Sequence, residues 1–482
     1  MSTATGTGGA VRSPAPSRHA QRTLAVAGMA VLVTFLDTTI LFVAFPSISA
    51  AFSGASASSL SWVLNAYTIT FAALLVPAGK LADRVGHKRI FLLGTALFTF
   101  GSAACAVAPT IGLLNTFRVI QAMGAAAVIP ASLALVMRAF PRDRLPVAVA
   151  IWGAMGAAAG AVGPTLGAVI VDSVGWRWVF LINVPIGIGV VLVGLRVLQE
   201  STDPDARIPA LLGVVLIAAA AALASLAVVQ TSDWGWIDPR TLGALALSLV
   251  LLAVFVAHQR RTSAPVLDLE LLSIPDYRWA NAATFAFGIA FTAMFLGSLL
   301  FLEEVWGFST LKAGLGVTPG PLLVAILAPR FGQLAGRVGQ RPLLLLGGLV
   351  FAAAGLWRVV ALSATPAYLR DFLPSMVLTG IGVALVLPQL ASTVAQALPP
   401  NRGGVGGGAN QAIRQFGGTL GVAFTLALVV QRTAGADLGP RFDQVWLLLF
   451  GGGVLTSAAA LGLTRRAVVT PEPVAADLVV AD

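Results

Sequence analysis

Fourteen apolar runs, broken only by short stretches rich in charge, Gly or Pro, follow one another along this 482-residue chain. They fall at 23–50, 59–79, 90–108, 110–138, 145–171, 176–197, 208–230, 241–257, 279–302, 309–331, 342–363, 372–397, 405–430 and 443–464. A helix needs roughly 20 apolar residues to cross a bilayer, and in lipid its backbone groups must be satisfied within the segment. The pattern therefore dictates an all-α integral membrane protein with 14 transmembrane helices. A soluble fold is excluded by charge: 10% of residues are charged and 57% hydrophobic, whereas soluble chains carry about 25% charged residues.

The net charge of +10 comes from 27 Arg and 3 Lys against 20 acids. An even number of spans puts both termini on one side. Of the 30 Lys and Arg, 21 fall on that side, six on the other, and three (Arg118, Arg358 and Arg414) within spans. Basic loops mark the cytoplasmic face, so both termini are expected in the cytoplasm and the chain in the cell (plasma or inner) membrane. The basic balance is thus loop arginine; nucleic acid is not an expected partner, whereas the lipid bilayer is. Cys105 is the only cysteine, so no internal disulfide and no metal cluster are expected. Residues 1–22 and 465–482 read as cytoplasmic tails. The first apolar run exceeds a signal-peptide core and is read as a retained span.

Two segments align without gaps at an offset of 253: Gly79-Lys-Leu-Ala-Asp-Arg-Val-Gly-His-Lys-Arg89 after the second span, and Gly332-Gln-Leu-Ala-Gly-Arg-Val-Gly-Gln-Arg-Pro342 after the tenth. The repeat sets helix 2 against helix 10, eight helices on. Two six-helix halves with two helices inserted between them account for that spacing: 23–198, an insert at 199–278 carrying spans 7 and 8, and 279–464. Spans 7 and 8 have no charge in their middles and are expected at the lipid-facing periphery. Repeats of this kind mark secondary transporters, with the site near the midplane.

These residues resemble the major facilitator superfamily over nearly the whole chain. Gly79–Arg89 is similar to its loop motif, Arg118-Val-Ile-Gln121-Ala-Met-Gly124 to its helix 4 motif with Ala122 in place of a glycine, and Gly160-Ala-Val-Gly163-Pro164-Thr-Leu-Gly167 to its helix 5 antiporter motif. Leu36-Asp37-Thr-Thr-Ile40 through Pro46 resembles the helix 1 signature of the fourteen-helix drug:proton antiporters, with Phe42 where that family usually has Asn. Trp176-Arg-Trp-Val-Phe-Leu-Ile-Asn-Val-Pro185 and Arg414-Gln-Phe-Gly-Gly418 fit as well. The resemblance implies a proton-coupled exporter of small, largely apolar compounds, monomeric and not an enzyme. An exporter of one endogenous metabolite or antibiotic is the alternative, and a nutrient symporter a weaker one. A receptor or membrane enzyme lacks a sensor domain or a nucleophile–base pair here.

Single residues carry chemistry within that frame. Asp37 lies about 21 Å along the first helix by helical rise, and a carboxylate at that depth is functional by default; it is the expected proton carrier. Arg118, charged even when buried, is expected to tune it or to clamp backbone carbonyls. Asn65, Gln121, Asn281, Gln389, Arg414, Gln411 and Gln415 are candidate cavity-lining residues, and Arg414 either binds an anionic substrate group or pairs with a carboxylate. Arg358, nearer a helix end, reads as snorkelling to water. Glu303 and Glu304 read as loop-edge acids.

In the 79–89 segment Gly79 and Gly86 permit a tight turn, Asp83 is expected to meet the start of helix 13 near Gly406, and Arg84, Lys88 and Arg89 to pair with acids or headgroups: a cytoplasmic latch, asymmetric because Gly336 replaces the acid in the second copy. Gly160, Gly163, Pro164 and Gly167 should form a close seam bent at the proline. Gly404–Ala409 reads as a mobile turn; without a preceding strand it is no dinucleotide site. No P-loop is present, so no cofactor is expected and a proton gradient is the energy source.

Overall fold

The computed structural model describes residues 17–141, 144–202, 209–398, 403–429 and 439–464; the tails beyond them, including most of the expected N-terminal tail, lie outside the described residues. Helices account for the described chain and no strand occurs among these residues. We number the spans α1 Arg18–Ala51, α2 Ala57–Val85, α3 His87–Ala106, α4 Ile111–Ala139, α5 Leu145–Val174, α6 Trp178–Val197, α7 Leu211–Trp234, α8 Pro239–Arg261, α9 Pro275–Val305, α10 Thr310–Val338, α11 Gln340–Ala361, α12 Tyr368–Ala397, α13 Gly403–Val429 and α14 Gly439–Leu461. α5 is bent by 41° between Gly160 and Val162. Pro164 explains the bend, because it cannot donate to the carbonyl four residues back, which is that of Gly160. α9 ends and α12 begins in a π-helical turn, at Phe301–Val305 and Tyr368–Phe372.

The helices start where side chains can satisfy the free backbone donors of a first turn. Ser17 accepts from Ala20 N (3.1 Å), Ser56 from Ser59 N (3.2 Å) and Thr110 from Leu113 N (3.3 Å). Several helices overrun the apolar runs. α2 continues through Gly79–Val85, so the expected loop shrinks to a single turn at Gly86 (φ 127°). α10 likewise runs through its copy of the motif to Gly339 (φ 81°). Gly86 N donates to Ala82 O and Gly339 N to Ala335 O, both at 2.9 Å: the repeat offset seen in the sequence returns as the same helix-ending hydrogen bond. Such positive φ values suit glycine alone without strain. α13 begins at Gly403, so the segment read as a mobile turn is helical.

The chain divides into two compact units: Met1–Leu223 with Ala246–Val266 and Thr310–Gly314, and Ala224–Leu245 with Leu267–Ser309 and Leu315–Asp482. The first has a core of Val31, Tyr67, Phe71, Leu75 and Phe98 against the small residues Ala122, Ala125 and Ala126 of α4. The second is centred on stacked aromatics, with Phe301 against Trp306, Phe372, Phe442 and Trp446 at centroid distances of 5.3–6.5 Å. α8 turns Leu242, Leu247, Leu249, Val250 and Val254 outward, each at least 46% exposed. A helix uncharged from Thr241 to Ala257 with that much bare apolar surface needs lipid as its solvent.

Candidate functional site

Four helices of the first unit meet on the Asp37 carboxylate. Arg118 Nη1 donates to Asp37 Oδ2 at 2.7 Å, while Gln121 Nε2 and Asn183 Nδ2 donate to Oδ1 at 2.8 and 2.7 Å. α1 contributes the acid, α4 the Arg and Gln one turn apart, and α6 the Asn. α3 adds Ser102, whose Oγ accepts from Gln121 (3.1 Å) and Asn183 (3.0 Å) and donates to Phe180 O (2.9 Å). All five side chains are at most 2% exposed.

Arg118 is held on every side. Nη1 also donates to Gln121 Oε1 (2.6 Å), Nε to Val63 O (3.0 Å), and the guanidinium lies 4.1 Å over the Tyr67 ring. The two sequence readings of Arg118, partner of a carboxylate and clamp on a backbone carbonyl, thus describe two bonds of one side chain. α3 and α4 come close enough for this because Gly101 faces the Gln121 backbone; a Cβ there would stand 2.7 Å from Gln121 Cα. A buried pair with its remaining lone pairs satisfied is a poor source of net stability, but deleting one partner costs about 3–5 kcal/mol.

Gln121 belongs to this cluster, whereas the sequence placed it among cavity candidates. Asn183 and Ser102 escaped the sequence reading. Asn183 stood inside the quoted Trp176–Pro185 stretch, and its position after the helix break at Ile182 is the only local signal. Asn65 is buried on α2.

α1 also meets the glycine seam of α5. Gly156, Gly163 and Gly167 of α5 lie against Phe35, Thr39 and Ile40, and a Cβ on Gly167 would stand 3.2 Å from Ile40 Cα. Thr39 Oγ1 donates to Ala159 O at 3.2 Å. Gly160 departs from the expectation: nothing lies within 4 Å of its Cβ position, because the bend begins there. A Cβ on Gly314 of α10, in the same unit, would stand 3.0 Å from Pro164 O.

At the Gly86 turn, Asp83 Oδ1 meets His87 Nε2 (3.1 Å) and Oδ2 lies 3.6 Å from Lys80 Nζ. Glu200, after α6, accepts from Lys88 N (3.0 Å) and Arg89 N (3.1 Å), capping α3, and lies 3.7 Å from Arg89 Nε. His87, buried, faces Ser201 O at 2.7 Å through Nδ1. Gly79 lets α2 approach Pro130 of α4, with 3.2 Å from its Cβ position. Glu200 as the partner of Lys88 and Arg89, and Ser201 as that of His87, were not legible, since each lies more than 100 residues away.

In the second unit Arg358 is fully buried, not snorkelling: its exposure is 0%. Nη1 donates to Ser298 Oγ (2.8 Å) and Nε to Ser375 Oγ (3.0 Å), and the guanidinium lies 4.6 Å over Trp446 and 5.2 Å over Phe372. Nη2 has no hydrogen-bond partner among the described residues. Depth along the helix misled the sequence reading; the side chain turns inward onto hydroxyls and rings. Arg414 is part-buried on α13 and donates to Gln411 Oε1 (2.7 Å). Gln389 is buried on α12; Gln415, part-buried, accepts at its carbonyl from Thr419 (3.1 Å). Asn281 accepts from Asn410 at 3.0 Å. Glu304 is exposed, as read from sequence. Among the described residues no group of three or more His, Cys, Asp or Glu could hold a metal.

Comparison with known proteins places this geometry. Residues 27–422 match the family model of the Major Facilitator Superfamily. The chain is 36% identical over 423 residues to the multidrug resistance protein Stp of Mycobacterium tuberculosis, covering 88% of this chain and 78% of that one. It is 35% identical over 422 residues to the cephamycin export protein CmcT of Amycolatopsis lactamdurans, covering 86% of each, and 32% identical to the tetracenomycin C resistance and export protein of Streptomyces glaucescens, over 88% of this chain and 78% of that one. Among solved structures, an auto-inhibited POT-family peptide transporter superposes with a TM-score of 0.66 at 15% identity, over 94% of this chain and 99% of that one, a likeness of fold alone.

Proposed function

The chain belongs to the major facilitator superfamily, a transporter and not an enzyme, and from that membership we propose that it is a proton-coupled efflux transporter. It exports small, largely apolar toxic compounds, such as drugs or antibiotics, across the cell membrane by alternating access. The observation that carries this reading is the buried Asp37–Arg118 pair closed by Gln121 and Asn183. The names of the relatives, multidrug resistance and antibiotic export, support the direction of transport.

Protonation of Asp37 cancels the charge that holds Arg118. The carboxylic acid then has one donor of its own and fewer sites for the three that converge on it, and the tie between α1 and α3, α4 and α6 loosens. Deprotonation restores the tie. Arg118 keeps Val63 O and the Tyr67 face in both states, so the cation stays in place while the acid changes charge. α1 also meets the α5 seam, where small residues exclude water and hinder proton leak. The Gly86 turn, with Asp83, Arg84, Lys88 and Arg89, serves as the cytoplasmic latch of the cycle, and both termini lie in the cytoplasm. The chain works as a monomer of two six-helix halves with α7 and α8 inserted, powered by the proton gradient without a bound cofactor.

The test is reconstitution in liposomes with an internal pH-sensitive dye. A panel of lipophilic drugs should trigger proton release from the wild type, and Asp37→Asn should abolish it while keeping insertion and a monodisperse elution profile. Unchanged drug-driven proton release from Asp37→Asn would overturn the assignment.

A further inference from the structure

The second unit carries a set of hydrogen-bond donors that the coupling site leaves unused. Asn410, Arg414, Gly417 and Gly421 fall on one face of α13 at helical spacings of three and four. That face packs against α9. Asn410 Nδ2 donates to Asn281 Oδ1 (3.0 Å) and Thr284 Oγ1 (2.9 Å), and a Cβ on Gly417 would stand 2.6 Å from Phe285 O. Gly288 of α9 faces the Arg414 carbonyl in the same way, at 2.7 Å. Arg414 is therefore on a protein-facing stripe rather than a lipid-facing one. It lies about 16 Å along α13 from Gly403 by helical rise, near the middle of the helix.

A guanidinium keeps its charge at that depth and calls for an acceptor or a wet space. Among the described residues Arg414 has one hydrogen-bond partner, Gln411 Oε1 at 2.7 Å, and no ion pair. Gln411 turns its Oε1 onto that bond, and its buried Nε2 has no partner among the described residues. The unsatisfied groups of the pair are thus donors. Arg414 is part-buried rather than sealed, so its remaining N–H groups border open space. Buried donors left unmade are costly, and a cation beside an unpaired amide N–H selects a ligand that supplies acceptors and negative charge.

We propose that Arg414 and Gln411 bind the acidic group of the exported molecule, so that the preferred cargo is a lipophilic organic anion such as an aromatic carboxylate. The proposal rests on the exporter reading above for its word "exported", but the recognition itself is tested by binding alone. Lipophilic cations of the same shape are disfavoured, since the site meets them with a fixed positive charge.

Three near-isosteric fluorescent probes decide it: anthracene-9-carboxylate, 9-anthracenemethanol and 9-(aminomethyl)anthracene, titrated against the purified full-length protein by fluorescence anisotropy. The carboxylate should bind at least about tenfold more tightly than the alcohol, as a charged hydrogen bond implies, and the ammonium most weakly. Arg414→Gln should bring the carboxylate to the affinity of the alcohol and leave the alcohol unchanged; Arg414→Lys should retain part of the preference. Gln411→Glu supplies an internal partner to Arg414 and should erase the preference by a route that keeps the buried charge satisfied, which covers the case in which Arg414→Gln does not fold. Equal affinities in the wild type, or a carboxylate preference that survives Gln411→Glu in protein that elutes as a single species, would overturn the proposal. Asp37→Asn separates it from proton coupling: loss of drug-driven flux with the carboxylate preference intact leaves recognition standing.

Discussion

Each repeat half buries an arginine, Arg118 on α4 and Arg358 on α11, in different company. In the first, α1, α3, α4 and α6 meet around the Asp37–Arg118 pair, where Asp37 balances the charge and Gln121, Asn183 and Ser102 fill the remaining sites. In the second, their counterparts α9, α11, α12 and α14 meet on Arg358, which finds Ser298, Ser375, Trp446 and Phe372 but no acid among the described residues. At the repeat offset Arg358 corresponds to Cys105, whose thiol lies 4.0 Å from Gln121 Oε1. The first half balances its buried cation with a carboxylate; the second meets its own with hydroxyls and ring faces. The difference teaches that symmetry of helices need not mean symmetry of chemistry.

The sharpest way to break this comparison is to remove each arginine in turn. Arg118→Leu strands the Asp37 carboxylate in a dry site and should cost about 3–5 kcal/mol, read as a large fall in the thermal transition of the detergent-solubilised protein. A variant as stable as the wild type would show that Asp37 is not dependent on Arg118. Next comes Asn183→Leu, which removes one donor from the carboxylate. A hydrogen bond to a charged group contributes about 1.5–3 kcal/mol, so the drug-driven proton-release rate should fall about tenfold or more, with Asn183→Gln recovering part of it.

Arg358→Leu should lie within about 1 kcal/mol of the wild type, since it strands no countercharge and replaces a charge that lacks one; Asp37-dependent proton release should continue. A loss as large as that of Arg118→Leu would give Arg358 a partner outside its aromatic box. The smallest effect belongs to Glu200→Gln. The carboxylate caps the positive end of α3, and its neutral replacement should lower stability by about 0.5–1 kcal/mol, a small shift of the same thermal transition.

How much of this was legible in the sequence follows from the range of each signal. Span number, the repeat and the Gly86 and Gly339 turns rest on local hydropathy and spacing, and they reappear in the structure. Asp37 and Arg118 were each conspicuous because charge is rare in an apolar helix. Their meeting was implied only by resemblance, because it joins residues 81 positions apart. Asn183 and Ser102 were invisible, since a lone Asn or Ser in a helix satisfies itself against its own backbone as readily as it reaches a neighbour. Arg358 was misread because hydropathy reports depth along a helix but not the direction in which a side chain turns. Gly160 was misassigned for a related reason: spacing puts it on the seam, but the bend imposed by Pro164 carries it off.

The paired turns at Gly86 and Gly339 bear on how such a molecule can diverge. What both turns demand is a backbone conformation, met by one residue and one hydrogen bond to the carbonyl four positions earlier. Nothing in that demand reaches the side chain three positions before the glycine, which is Asp83 in one copy and Gly336 in the other. A duplicated half can therefore gain or shed charge at its rim without renegotiating its own architecture, and inherited likeness of shape becomes the license for inherited difference of task.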